Sequence, residues 1–185
     1  MCKDRDSSSG WWAVYHAAEG NTKGGYLNDT QAFSTQSFWN NTTPTSSVFT
    51  VGANANSNAS GNDFIAYCFA PVEGYSAVGS YTGNGSSDGP FVYTGFRPAF
   101  ILFKITTASD DWVIFDTTRD TYNRADKELY PNLNKAEEDN NRGSDILSNG
   151  FKIRTTASKW NTSGATYIYA AFAENPFQTN GGLAR

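Results

Sequence analysis

The chain has 185 residues, 15% aromatic and 17% charged, with a formal net charge of −4. So many aromatics argue against a disordered chain, and the lack of clustered Lys and Arg argues against a surface built to displace counterions from nucleic acid. The length suits one sandwich or two modules of roughly 90 residues each.

Period-2 alternation and turn residues place strands, in chain order, at residues 12–16, 25–28, 47–52, 62–71, 75–82, 90–94, 98–105, 112–116, 151–155 and 165–173. Turns are expected at Gly83-Asn84-Gly85, Asn149-Gly150 and Gly181-Gly182, where glycine supplies positive φ. Short strands separated by turn signals predict an all-β fold of antiparallel β-sandwich or jelly-roll-like modules. Residues 124–139 are charged and interrupted by Pro131, so they read as a surface excursion around a short strand, with at most one or two helical turns.

The same order of residues occurs twice. W-A-V-Y-H, Y-L-N-D-T-Q-A, S-V-F-T-V and N-A-S-G-N-D-F-I-A-Y-C-F-A are followed by W-V-I-F-D, Y-P-N-L-N-K-A, N-G-F-K-I and N-T-S-G-A-T-Y-I-Y-A-A-F-A. Trp12 to Trp112 is 100 residues, Tyr26 to Tyr130 is 104, Phe49 to Phe151 is 102, and Asn58 to Asn161 and Phe69 to Phe172 are each 103. This ordered spacing predicts an internal duplication, with a first repeat over residues 1–74 and a second, complete one over residues 75–185. The second carries a strand-loop-strand block before Trp112 that the first lacks before Trp12, so the chain is expected to start inside a repeat, with an open sheet edge there.

The longest apolar runs, residues 64–72 and 98–103, are far shorter than the ~20 residues of a spanning helix, so membrane insertion is not expected. No secretory signal is read at M-C-K-D-R-D-S-S-S-G, and the sequons at Asn28 and Asn84 read as a by-product of composition. Two cysteines cannot build a disulfide framework. Cys68 takes the place of Ala171 in the repeat and reads as a small packing residue, which fits folding in a reducing cytoplasm.

No cofactor motif is found: Gly83-Asn84-Gly85 lacks the Lys-Ser/Thr of a phosphate loop, and there is no Gly-x-Ser-x-Gly elbow. His16, the one histidine, aligns with Asp116 and reads as a polar residue at a strand end. Asp110-Asp111 and Glu137-Glu138-Asp139 read as solvated turns, and no carboxylate pair set among aromatics is recognised in either copy. No catalytic or metal site is expected. Trp39 and Asn40 in F-W-N-N-T-T, and Trp160 and Asn161 in K-W-N-T-S-G, are the candidate ligand-binding residues. An exposed indole beside an amide suits stacking on a sugar ring, and the plainer alternative is that both indoles cap the sandwich ends.

The run I-A-Y-C-F-A-P-V-E-G-Y-S-A-V-G-S-Y-T-G-N-G-S-S-D-G-P-F-V-Y-T-G-F-R-P-A-F, with I-L-S-N-G-F-K-I-R and T-Y-I-Y-A-A-F-A-E-N-P-F, resembles a repeat family of tailed bacteriophages, notably those of marine and freshwater bacteria and cyanobacteria. The resemblance runs from Lys3 to Phe177. It implies a virion structural or tail-fibre-like protein, located in the virion after assembly in the host cytoplasm. The partners so implied are other virion subunits, copies of itself in a homo-oligomer and a bacterial surface glycan, with no nucleic acid. A capsid decoration or tail-collar protein is the structural alternative, and a glycan-cleaving enzyme the alternative of another class.

Overall fold

The computed structural model describes residues 1–176, so the turn expected at Gly181-Gly182 lies outside the described residues. The chain divides into two compact units, Met1–Phe69 and a second that begins at Ala70. The residues after Phe69 belong to the second because the Ser76 hydroxyl donates to the Ala70 carbonyl at 2.7 Å and Val72 bridges Ser76.

Unit 1 contains β1 (Cys2–Asp4), β2 (Trp12–Val14), β3 (Lys23–Tyr26), β4 (Ser34–Thr35), the one-turn helix α1 (Ala55–Asn58) and β5 (Phe64–Ala66). The strands form one antiparallel sheet in the order β4-β3-β2-β1-β5. Its buried core is small: Cys2, Ala13, Phe38 and Trp39, with Tyr15 and Tyr26 packed against them. The paired glycines of β3 make this packing possible, since a Cβ at Gly24 would lie 2.5 Å from the Phe38 ring. The strand expected at residues 47–52 is a loop instead, tied by the Thr45 N–H to the Val48 carbonyl at 2.8 Å and by Gly52 N–H to the Phe38 carbonyl at 2.7 Å. Among the described residues no strand pairs with it, and its apolar residues Val48 and Phe49 stay exposed.

Unit 2 contains β6 (Ser76–Thr82), β7 (Phe91–Tyr93), β8 (Pro98–Ile105), β9 (Val113–Asp116), β10 (Ala125–Glu128), β11 (Glu138–Leu147), β12 (Gly150–Ile153), the one-turn helix α2 (Ser158–Asn161) and β13 (Thr166–Ala173). Two antiparallel four-stranded sheets, β10-β11-β12-β7 and β6-β13-β8-β9, enclose one core, as the expected sandwich requires. Rings from the two sheets meet edge to face, Phe103 with Phe151 at 5.2 Å and Phe151 with Tyr169 at 5.4 Å.

The pairing registers of the two units run parallel. Cys2 faces Ala13 and Ala66, Lys3 faces Ile65, and Val14 faces Gly25; Phe103 faces Val113 and Tyr169, Lys104 faces Ile168, and Ile114 bridges Leu129. The Trp12 N–H donates to Asn28 Oδ1 at 2.8 Å and the Trp112 N–H to Asn132 Oδ1 at 3.0 Å, so these tryptophans hold like places. Two other pairs do not. Phe49 lies in an exposed loop whereas Phe151 is buried in β12, and Phe69 is exposed beyond the end of β5 whereas Phe172 lies within β13. Unit 1 has no counterpart of the sheet that holds β12 and β7.

Candidate functional site

The indoles of the W-N loops are interior. Trp39 is 3% exposed and packs edge to face with Tyr15 and Phe38 in the core of unit 1. Trp160 is 1% exposed, stacks on Phe115 at 4.7 Å and donates its Nε1–H to Glu128 Oε1 at 3.1 Å. The exposure expected of both is therefore corrected, and neither ring offers a face to a sugar. The apolar demand of each core outweighs the polar sequence around the ring.

Asn161 is buried as well and acts as a clamp. Its Oδ1 accepts the Asn84 N–H at 2.7 Å, and its Nδ2 lies 2.6 Å from the Ser86 carbonyl, 3.0 Å from Asn84 Oδ1 and 3.0 Å from the Thr155 carbonyl. These bonds tie the Gly83-Asn84-Gly85 turn to α2. Asn40 is the one exposed member of the set, in the left-handed region with φ 50°.

His16, expected at a strand end, lies two residues beyond β2 and is buried; its Nδ1 accepts the Ala18 N–H at 3.3 Å, the bond that Asp116 Oδ1 makes with the Thr118 N–H at 3.1 Å. Cys68 departs from expectation. It is exposed, whereas Ala171 is 1% exposed, because β13 is covered where the segment after β5 is not.

Glu138 and Asp139 lie in β11 rather than in a turn, Glu137 and Asp139 are exposed, and Asp110-Asp111 is half-buried in a loop. The Tyr130 hydroxyl bonds to Glu128 Oε2 and lies 2.8 Å from Glu138 Oε2, so two carboxylates meet at one phenol among aromatics, an arrangement not recognised in the sequence. Lys159 Nζ sits 4.4 Å from the centre of the Tyr130 ring, 3.3 Å from Asp111 and 3.9 Å from Glu128, while Glu137 pairs with Arg119. Burial pushes the Glu128 carboxyl above its ordinary value against the opposing pull of Tyr130, Lys159 and Trp160. Lys135 and the bonds from Asn140 and Tyr130 hold Glu138 down at about 2. Burial and the two carboxylates drive the Tyr130 phenol far above its ordinary range. A phenol has one proton to donate, so the two carboxylates compete for it. Glu128 is 1% exposed whereas Glu138 is partly exposed, and the cluster joins β10, β11 and α2. Spacing in sequence gave little sign of it, because its members come from four separate segments. Among the described residues, no three His, Cys, Asp or Glu side chains are grouped to hold a metal ion.

The accessible aromatics lie elsewhere. On the edge strand β7, Val92 points into the core while Phe91 and Tyr93 face outward, Tyr93 being 67% exposed. A Cβ at Gly95 would lie 3.7 Å from the Tyr93 hydroxyl, and Gly95 helps line a groove of about 300 Å³ with Gly74, Phe96, Arg97, Ser148, Glu174 and Asn175. Arg97 is fixed there by Glu174 at 2.8 Å and by the Ile146 carbonyl at 2.9 Å. A planar guanidinium, a carboxylate, a hydroxyl and an amide beside an exposed ring are the groups that bind sugar hydroxyls and a sugar's C–H face. The alternation F-V-Y was readable in sequence, but not which face would be covered.

An all-β chain with a half-buried acidic cluster and an open aromatic groove is thus the class that fold and site define. The chain belongs to the family described as a domain of unknown function (DUF7483), whose model matches residues 1–176. No curated protein and no solved structure matches the chain.

Proposed function

We propose that the chain is a structural protein of a bacteriophage virion, a tail-fibre or other surface component that works in a homo-oligomer and attaches to a bacterial surface glycan. The phage-repeat resemblance of its motifs supports the virion location. The observation that carries the binding half is the exposed Phe91/Tyr93 pair beside the groove of Arg97, Ser148 and Glu174. Each such site would bind weakly, and repetition around an assembly would raise its strength through avidity. The shared strand registers support reading the two units as duplicated modules.

The test is adsorption to host cells and binding to their isolated surface polysaccharide. A Phe91→Ala, Tyr93→Ala double variant should weaken binding about tenfold or more, as loss of central aromatic anchors does elsewhere. Unchanged adsorption would remove the attachment reading. It would favour a capsid decoration or tail-collar role, for which the open edge of β5 is the supporting observation. Release of reducing ends from the polysaccharide would replace both with a glycan-cleaving enzyme.

A further inference from the structure

Among the described residues the outer edge of β5 carries no strand, and β13 shows what kind of strand fits there. In their sheets β5 and β13 hold matching places, Lys3 facing Ile65 as Lys104 faces Ile168. On its far side β13 carries β6 over seven antiparallel pairs, from Thr166↔Thr82 to Phe172↔Ser76. β5 ends its sheet instead. Ile168 is 1% exposed under that cover, and its counterpart Ile65 is 37% exposed. Residues 64–72 include no charge, so this edge lacks the lysines and acids that normally block strand addition.

We infer that the β5 edge is a docking site for one antiparallel strand with the chemistry of β6, uncharged and rich in small residues, presented by another virion polypeptide; this rests on the assembly reading above. The mode is strand addition, in which main-chain bonds supply affinity and side-chain pairs supply register. One chain has a single β6, already committed to β13, so exchange of β6 between copies would open as many edges as it closed. Transferring the β6–β13 register places the strand's Ser80, Gly79 and Val78 positions opposite Ile65, Ala66 and Tyr67. One difference marks the site. A Cβ at Gly79 would lie 2.7 Å from the Tyr169 hydroxyl, so β13 disfavours a side chain there, whereas β5 presents Ala66 in place of that tyrosine.

The probe is a labelled synthetic peptide of residues 75–83, titrated into the full chain by fluorescence anisotropy. Saturable one-to-one binding is expected. A Gly79→Val peptide should bind within ~3-fold of the parent and a Gly79→Pro peptide should not bind, because proline removes a ladder donor. Ile65→Lys in the protein, at an exposed position, should weaken binding at least ~10-fold with an unchanged circular dichroism spectrum. Binding of the parent peptide but not the Gly79→Val peptide would mean exchange at β13 and overturn the inference. So would absence of binding, whether the chain is monomeric or self-associates through this edge and is made monomeric by Ile65→Lys. Host adsorption does not enter these readouts, so failure here is distinct from failure of the glycan reading.

Discussion

Trp160 donates its indole N–H to Glu128, whereas the Trp39 N–H is buried with no acceptor among the described residues. An unmet buried donor costs about 1–3 kcal/mol, which Phe would remove. Trp39→Phe should therefore change stability by less than about 1 kcal/mol in either direction, and Trp160→Phe should lower it by about 2–4 kcal/mol through lost packing and an orphaned carboxylate. Urea unfolding of both variants checks the contrast, and equal losses would contradict it. The acid pair gives a pH signature with opposite signs. The Glu128 carboxyl is raised in the folded state, so its contribution is fully present below the unfolded value near 4.5 and falls as pH rises through the folded one. Glu138 is depressed to about 2, so its contribution is present above about 4.5 and is lost on acidification toward 2. Glu128→Gln should abolish the fall on the neutral side and leave the acid-side loss in place. Urea midpoints measured from acid to neutral pH decide this, and a fall that persists in the variant would show that another group causes it.

At the level of elements, the strands that buried apolar alternation marks were the readable ones. β8 has the bounds expected, and β13 falls within one residue of them. β11 reads E-D-N-N-R-G-S-D-I-L and was invisible to propensity. It is a strand because β10 and β12 pair with it on either side, with a register shift opposite residues 125–127. The turn expected at Asn149-Gly150 sits one residue earlier, at Ser148-Asn149, and Gly150 opens β12, where a Cβ would lie 2.1 Å from the Val92 carbonyl. Gly150→Ala should accordingly detach β7, seen as loss of amide-exchange protection at Val92 with β8 and β13 still protected. Asn161→Ala should destabilise unit 2 by about 2 kcal/mol or more, since it strands the Asn84 N–H and the Ser86 carbonyl. Asn40→Gly should be neutral or stabilising by a few tenths to about 1 kcal/mol, because glycine takes its φ of 50° without strain. Equal thermal shifts of the two asparagine variants, or a larger loss for Asn40→Gly than for Asn161→Ala, would contradict the clamp.

For the whole molecule, the two cores differ in size: six buried apolar residues in unit 1 against twenty in unit 2 among those described. Stability follows buried apolar area, so unit 1 should open first. Hydrogen exchange should show lower protection in β1–β3 than in β8 and β13, and the edge-binding peptide should raise protection in unit 1 alone. Uniform protection would refute this. What the sequence by itself determined is the all-β class, most strand positions and the ordered recurrence of W, Y-x-N and N-x-S-G signals, because alternation and turn residues are local properties of the backbone. Only the tertiary structure decided which faces are covered. Period-2 alternation defines two faces of a strand without saying which one meets a second sheet, so buried Tyr167 and exposed Tyr93 carry similar local signals. The meeting of Glu128, Tyr130, Glu138 and Lys159 is likewise tertiary, since strand pairing and α2 bring together residues that no sequence spacing links.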